Sequence, residues 1–464
     1  MDSKVVEDIA AQQRQAFANA PFPAAHERRS YLRRFRRALL AAQHDLASAV
    51  DRDFGGRSAY ETAFAEILVA AGSLRHAEQN LDAWMRQRPV SLGVAMQPAR
   101  AFVLPQPLGV VGIMASWNYP VLVAVSPMAG ALAAGNRIVL KPSENAPETS
   151  RVLQQLIAAT FAPDHVTVVE GGPDVGRAFA ATPWNRLIFT GSATVGREVM
   201  RAAATHLTPL TLELGGKCPA ILCEDANLPL AADALVYGKF LNAGQTCVAP
   251  DYLLVPDSLA ARFVPLLSAA LERRYPDAAA NPDYTSLLRL SDFDRLSEWL
   301  ADAKVHGAKI LQHGGSDRTR KRLAPTLVTS PPLDSPLLRE EIFGPVLPIV
   351  TYGELDQALA FVHARPRPLA LYAFTTSQRI AEKIRRETIS GAMVLNETVV
   401  QVAAEGLPFG GVGNSGFGAY HGQAGFDACS HLKPVFESRG PSLGRLVRPP
   451  YGKLQNTLRK LLLR

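Results

Sequence analysis

Five short apolar runs constrain this chain more than any other feature: VVGIM at 110–114, RIVLK at 137–141, VTVVEGG at 166–172, RLIFTGS at 186–192 and AILCED at 220–225. Segments of helical length separate them. This alternation predicts crossover units and a parallel sheet, since parallel neighbours can be joined only by a long return, most often a helix. The nearly apolar stretch from Val121 to Gly135 contains Pro127 and many small side chains. It is shorter than the roughly 20 residues that span a bilayer, and reads as a buried helix. From Ala10 to about Arg86 the chain reads as mostly helical. Within YLRRFRRALL, Leu32, Phe35 and Leu39 share one face and arginines occupy the others, which suggests a solvated charged side. Between Pro89 and Gln106 the apolar period drops to two around a Gln-Pro turn, predicting a projecting hairpin. Such a hairpin needs cover, for which another subunit is a candidate.

With 464 residues, 47% hydrophobic and 20% charged, the chain has room for two or three domains and a large core. Its net charge of +7 does not point to nucleic acid. Residues 433–464 carry eight Lys and Arg against the single acid Glu437, a surplus equal to the whole net charge. No basic stripe interleaved with aromatics is present elsewhere. The N-terminus MDSKVVEDIAAQQRQ lacks the apolar core of an export signal. Cys218, Cys223, Cys247 and Cys429 are too few and scattered for a disulfide framework and form no C-x-x-C pair. Reduced thiols, a cytoplasmic location and no metal are therefore expected.

Several short stretches could carry chemistry, each with a plainer alternative. In RLIFTGSATVGREV, Gly191, Ser192 and Gly196 join a strand to a helix start. The run is neither a P-loop, since Arg197 and Glu198 follow the last glycine, nor a GxGxxG fingerprint. Its backbone N–H groups and helix dipole could face an anion, or the glycines could serve tight packing alone. Lys141 and Glu144, in VLKPSENAPETS, could form a surface pair, or the carboxylate could accept hydrogen bonds from ribose hydroxyls. Glu213 stands in the apolar run TLELGG. Desolvation would raise its pKa and suit it to general-base work, unless it caps local backbone. Cys247, in LNAGQTCVAPDYLLV, precedes a strand-like run. Taken alone, a free cysteine is usually a small buried hydrophobe. Cys218 and Cys223, five apart in a strand, would point to opposite faces and share no site.

Together and in order, WNYP at 117–120, KPSE at 141–144, FTGS at 189–192, LELGGK at 212–217, GQTC at 244–247, EEIFGPV at 340–346 and PFGGVGNSG at 408–416 resemble the aldehyde dehydrogenase superfamily from about residue 10 to 437. CVAPDY and GAYHG are similar to its class 3 branch, and QPLGVVGI, NPDYTS and ARPRPLALY to bacterial coniferyl-aldehyde dehydrogenases. One departure is Ser116, where the family usually has proline before the tryptophan. The resemblance implies an α/β fold with a Rossmann-like NAD domain (1–86 and 104–212), an α/β catalytic domain (213–407), a small β oligomerisation arm (87–103 and 408–437) and a basic tail (438–464). It implies NAD as cofactor, with NADP use alongside, and a homodimer. The substrate it implies is a hydrophobic aldehyde, aromatic such as coniferyl aldehyde or medium-chain aliphatic.

By the same resemblance Cys247 is the nucleophile, Asn118 holds the oxyanion and Glu213 activates the deacylating water. Trp117, Lys141, Glu144, Gly191, Ser192, Gly196, Glu341 and Phe343 fall at cofactor-binding positions. A cysteine hydrolase would need a paired histidine, and a catalytically silent relative would be expected to lose the thiol or the base. In the tail, Leu454, Leu458, Leu461 and Leu462 form a helical stripe beside Lys453, Arg459, Lys460 and Arg464. That pattern fits an appendage packed on its own dimer or weak contact with anionic lipid.

Overall fold

The alternating runs form a parallel sheet in the computed structural model, which describes residues 3–441 and 443–462. Val110–Met114 lies between Arg137–Lys141 and Arg186–Gly191. Val166–Val168 and Leu210–Leu214 extend the two sides, all in parallel. Gly416–Phe417, from far along the chain, closes the last edge antiparallel, with Gly416 opposite Glu213. A side chain at Gly416 is impossible: a Cβ there would lie 1.8 Å from the Leu212 carbonyl oxygen. Two runs yield shorter strands than expected. The run at 166 stops at Val168, because Gly171 turns the chain at φ 153° and Pro173 opens the helix Pro173–Ala181. The run at 220 gives Pro219–Leu222, beyond which Asp225 accepts the backbone N–H groups of Thr376 (2.8 Å) and Ser377 (2.6 Å).

A second sheet has seven strands, in the order Lys309–Gln312, Thr326–Thr329, Val346–Tyr352, Tyr252–Pro256, Pro219–Leu222, Ala370–Phe374 and Ala392–Leu395. All pair in parallel except the first. Cys218 and Cys223 fall in different cores on either side of it, as their spacing predicts.

Helix Leu122–Ala134 is buried almost throughout, which its unbroken apolar composition requires. Its free ends are satisfied by charged groups from distant segments. Glu66 accepts the N–H groups of Val121 (2.8 Å) and Leu122 (3.1 Å), while Arg28 donates to the carbonyls of Ala133 (3.1 Å) and Ala134 (2.8 Å). These placements satisfy terminal groups and complement the helix dipole. In helix Ala25–Ala41, Leu32, Phe35 and Leu39 are fully buried, each contributing about 1.5–3 kcal/mol. The opposite face is only partly solvated. Arg33 and Arg36 both reach Glu78, at 2.8 and 3.4 Å, and so bind this helix to Leu68–Met85.

Arg88–Val90 and Ala99–Pro107 form the expected hairpin, but its free edge is covered within the chain, by Ser430–Ser438 over nine residues. Val94 and Met96 at the hairpin tip, and Phe436 (55% exposed) on the covering strand, remain open to solvent. No described helix is long and apolar enough to cross a membrane.

Candidate active site

The loop carrying Cys247 is shaped by contacts that reach across the sequence. Asn242 and Ala243 adopt left-handed backbone (φ 53° and 50°), followed by Gly244 at φ 74°. A Cβ at Gly244 would lie 2.3 Å from the Gly344 carbonyl oxygen, so only glycine lets the two segments approach. The buried Gln245 amide then pins the turn: Nε2 donates to the Asn242 and Ser286 carbonyls (3.0 and 3.1 Å) and Oε1 accepts the Leu288 N–H (2.9 Å). Thr246 Oγ1 bonds the Tyr119 hydroxyl at 2.7 Å. Cys247 emerges half-buried from this frame. Burial, reinforced by the neighbouring Glu341 and Glu213 carboxylates, pushes its thiol up to about 12. The resting group is therefore a thiol rather than a thiolate.

Asn118 faces the same loop. Its Nδ2 donates to the Gln245 carbonyl (3.1 Å), and the Ser116 hydroxyl donates to its Oδ1 (2.7 Å). A flipped amide would oppose two oxygens, so these bonds fix its orientation. They leave one Nδ2 proton for a ligand. The backbone of Asn118 is held as well, its carbonyl accepting from Asn242 Nδ2 (2.9 Å) and Arg57 (3.3 Å). Arg57 is paired with Glu61 (3.1 Å) and Glu66 (2.9 Å), and Glu61 accepts the Asn242 N–H (3.1 Å). A buried ionic cluster thus ties the Asn118 backbone to the thiol loop. No local pattern in the sequence marks it.

Glu213, in strand Leu210–Leu214, is 2% exposed, and neither carboxylate oxygen has a hydrogen-bond partner among the described residues. Burial pushes its pKa well above the ordinary carboxylate range, with the nearby Gly411 N–H acting in the opposite direction. Cys247, Asn118 and Glu213 line one cavity of about 200 Å³, walled by Leu122, Val123, Leu214, Leu369, Val399 and Phe409.

A second cleft, of about 720 Å³, gathers Ser116, Trp117, Lys141, Glu144, Gly191 and Ser192 at the carboxyl ends of the parallel strands. Ligands bind at this end of open parallel sheets. Thr190, which pairs with Glu213 across neighbouring strands, lines both spaces, so the two lie side by side there. Ser192 caps helix Ala193–Ala204 through the Val195 N–H (3.3 Å). Gly196 lets that helix rest on the strand below, where a Cβ would lie 2.7 Å from Leu214 Cδ2. Lys141 and Glu144 do form the ion pair, at 3.0 Å, but with the lysine buried rather than on the surface. Burial opposes ionisation of Glu144, yet hydrogen bonds from its own backbone N–H and from Lys141 outweigh it and hold the carboxyl below its ordinary range. Glu341 and Phe343 line neither space. Glu341 accepts the Gly216 N–H (3.0 Å), and burial followed by Asp251 pushes it up to about 7. Phe343 packs edge-on to Trp117, with ring centroids 5.4 Å apart.

Residues 1–435 match the aldehyde dehydrogenase family. The chain is 44% identical over 460 residues to a probable coniferyl aldehyde dehydrogenase of Pseudomonas aeruginosa, covering 99% of this chain and 96% of that protein. Among solved structures, the substrate-bound state of Staphylococcus aureus AldH superposes with a TM-score of 0.94 at 35% identity, covering all of both chains. A Mycobacterium tuberculosis aldehyde dehydrogenase complexed with NAD+ gives a TM-score of 0.83 at 30% identity, covering 93% of this chain and 90% of that one.

Proposed function

The chain belongs to the aldehyde dehydrogenase family, and from that premise we propose that it oxidises a hydrophobic aldehyde of the coniferyl type to the carboxylic acid, with NAD as the preferred cofactor. One observation carries this reading. A thiol, an amide donor and an unpartnered carboxylate meet in one apolar cavity that shares the Thr190 wall with a cleft at the ends of the parallel strands. The apolar walls favour an aromatic or alkyl body, and the relative named a probable coniferyl aldehyde dehydrogenase supports the aromatic choice. Appearance of NADH with aromatic propenals, benzaldehydes and medium-chain alkanals tests it. No oxidation in any of the three groups would overturn it.

Cys247 gives up its proton to solvent water, and the thiolate Sγ attacks the carbonyl carbon, forming the oxyanion of a thiohemiacetal. The free Asn118 Nδ2 proton and the Cys247 N–H hold the developing oxyanion, donors aimed at charge that forms only during reaction. When bound, NAD supplies the acceptor for the hydride expelled from that carbon. A thioester on Cys247 remains. Glu213 removes a proton from water, the hydroxide oxygen attacks the acyl carbon, and the thiolate leaves as the acid forms.

The cleft residues fit a dinucleotide. The capped helix start after Ser192 suits a pyrophosphate, and the ionised Glu144 suits the ribose hydroxyls. The same carboxylate would repel a 2′-phosphate, with the Lys141 charge offsetting part of that. NAD is therefore expected to be used better than NADP. Glu144→Gln should narrow the ratio of their kcat/KM values by about tenfold, or ~1.4 kcal/mol. Equal use of both cofactors by the native protein would overturn this role.

We assign residues 1–86 and 104–212 to the cofactor domain, 213–407 to the catalytic domain, and 87–103 with 408–437 to an arm joining two copies. Exposed Met96 and Phe436 on that arm support a homodimer. Four free cysteines favour a cytoplasmic location. In the tail helix Lys453–Leu462, Leu454 and Leu461 (72% exposed) are uncovered. Arg464 and the Leu462 side chain lie outside the described residues. Weak adsorption to anionic lipid follows from this exposed apolar and basic helix. Deleting residues 451–464 is expected to abolish sedimentation with anionic vesicles at low salt, and failure of the intact protein to sediment would end the idea.

A further inference from the structure

The reaction cavity adjoins a second space. Phe64, Ala65, Tyr237 and Leu241 line both this cavity and a wider outer vestibule of about 740 Å³, which Glu61, Arg273, Arg274 and Asp283 also border. These four side chains form a neck between an apolar chamber and a charged, solvent-open space. Cys247, Asn118 and Glu213 line only the chamber, and none of them borders the outer vestibule.

Most polar groups of the chamber are already engaged. The Tyr119 hydroxyl bonds Thr246, and the Tyr420 hydroxyl faces the Thr190 side chain. His421 also lines the chamber, but its Nδ1 is buried and without a hydrogen-bond partner among the described residues. Tyr237 differs. The residue is 39% exposed at the neck, and among the described residues its hydroxyl makes no hydrogen bond. A phenolic hydroxyl can both donate and accept, so it can meet a polar group at the far end of a substrate whose body fills apolar space.

We propose that Tyr237 is a specificity-determining residue, whose hydroxyl hydrogen-bonds the para-hydroxyl of an aryl propenal held with its aldehyde carbon at Cys247. This rests on the aldehyde-oxidising reading above and deepens it. The aromatic ring lies against Leu122, Val123, Leu369 and Phe409, while the para-hydroxyl reaches the neck rather than an apolar wall. An apolar para-substituent would leave the Tyr237 hydroxyl without that partner.

The test compares para-hydroxycinnamaldehyde with para-methylcinnamaldehyde, which has nearly the same size but no hydrogen-bonding group. The native protein should favour the hydroxylated aldehyde in kcat/KM by about fivefold to tenfold, mainly through KM, the scale of one neutral hydrogen bond. Tyr237→Phe should bring that ratio close to one, and Tyr237→Gln, which restores a donor and an acceptor, should recover part of it. A ratio unchanged in Tyr237→Phe, or no preference in the native protein, would overturn the role of Tyr237 while leaving aldehyde oxidation standing. Failure to oxidise either propenal, alongside ready oxidation of hexanal, would overturn both this proposal and the aromatic substrate class.

Discussion

Cys247→Ser is expected to abolish aldehyde oxidation, with a fall in kcat of about 10⁴-fold or more, the scale of losing the nucleophile of a covalent mechanism. Sulfur is the better nucleophile, and as a thiolate it is the better group to expel from the acyl-enzyme. A serine hydroxyl has a far higher pKa and no histidine beside it in the cavity lining except His421, whose pKa burial lowers to about 4 and whose Nδ1 is buried. The serine variant should melt normally and still bind NAD, since Cys247 does not line the cleft proposed to hold it. Intact mass spectrometry after mixing with aldehyde and NAD should find no acyl adduct. Residual turnover within tenfold of the native protein would show that another group attacks the aldehyde.

Glu213→Gln separates the two halves of the reaction. If the carboxylate serves mainly to deprotonate water, the amide variant still attacks and expels hydride once, then stalls as a thioester. Rapid mixing should show a burst of NADH near one equivalent per competent site, followed by steady turnover slower by about 10²–10⁴-fold, the usual span for a lost general base. The acyl adduct should be found on Cys247. The pH dependence has a definite sign. Burial raises the Glu213 pKa, and only its deprotonated form accepts a proton, so the native deacylation rate climbs as pH rises through that raised value and then levels. The Gln variant should lose that limb of the profile. A folded, NAD-binding variant with neither burst nor adduct would assign Glu213 to the earlier step, removal of the thiol proton.

Local pattern made the parallel sheet readable. Val110–Met114 and Arg137–Lys141 coincide with their apolar runs because strands buried on both faces are continuously hydrophobic. Glu213 stood out for the same reason, as one acid in such a run. The thiol loop was legible only as a motif. Its shape depends on Gly344 packing on Gly244 and on Ser286 and Leu288 receiving Gln245, partners that no periodicity links. The Arg57 cluster and the neck at Tyr237 were illegible. Their members come from segments as distant as Glu61 and Asn242, and each looks locally like an ordinary helical or loop residue. The arm shows the converse case. Its need for cover was visible, but Ser430–Ser438, which supplies that cover, lies more than 300 residues further along.

That long closure bears on how the molecule comes into being on the ribosome. The strand that borders Glu213 and the strand that covers the hairpin both come from residues 416–438, so both sheet edges stay unpaired while most of the chain has already been made. Such edges are templates for unwanted pairing, and contacts this remote in sequence form slowly. A nascent chain halted before residue 416 would carry the thiol, the amide and the carboxylate, yet the carboxylate's strand would have an open flank. Completion of synthesis, rather than emergence of the reactive residues, would then be the moment at which the enzyme is assembled, and the interval before it the period in which a chaperone has most to protect.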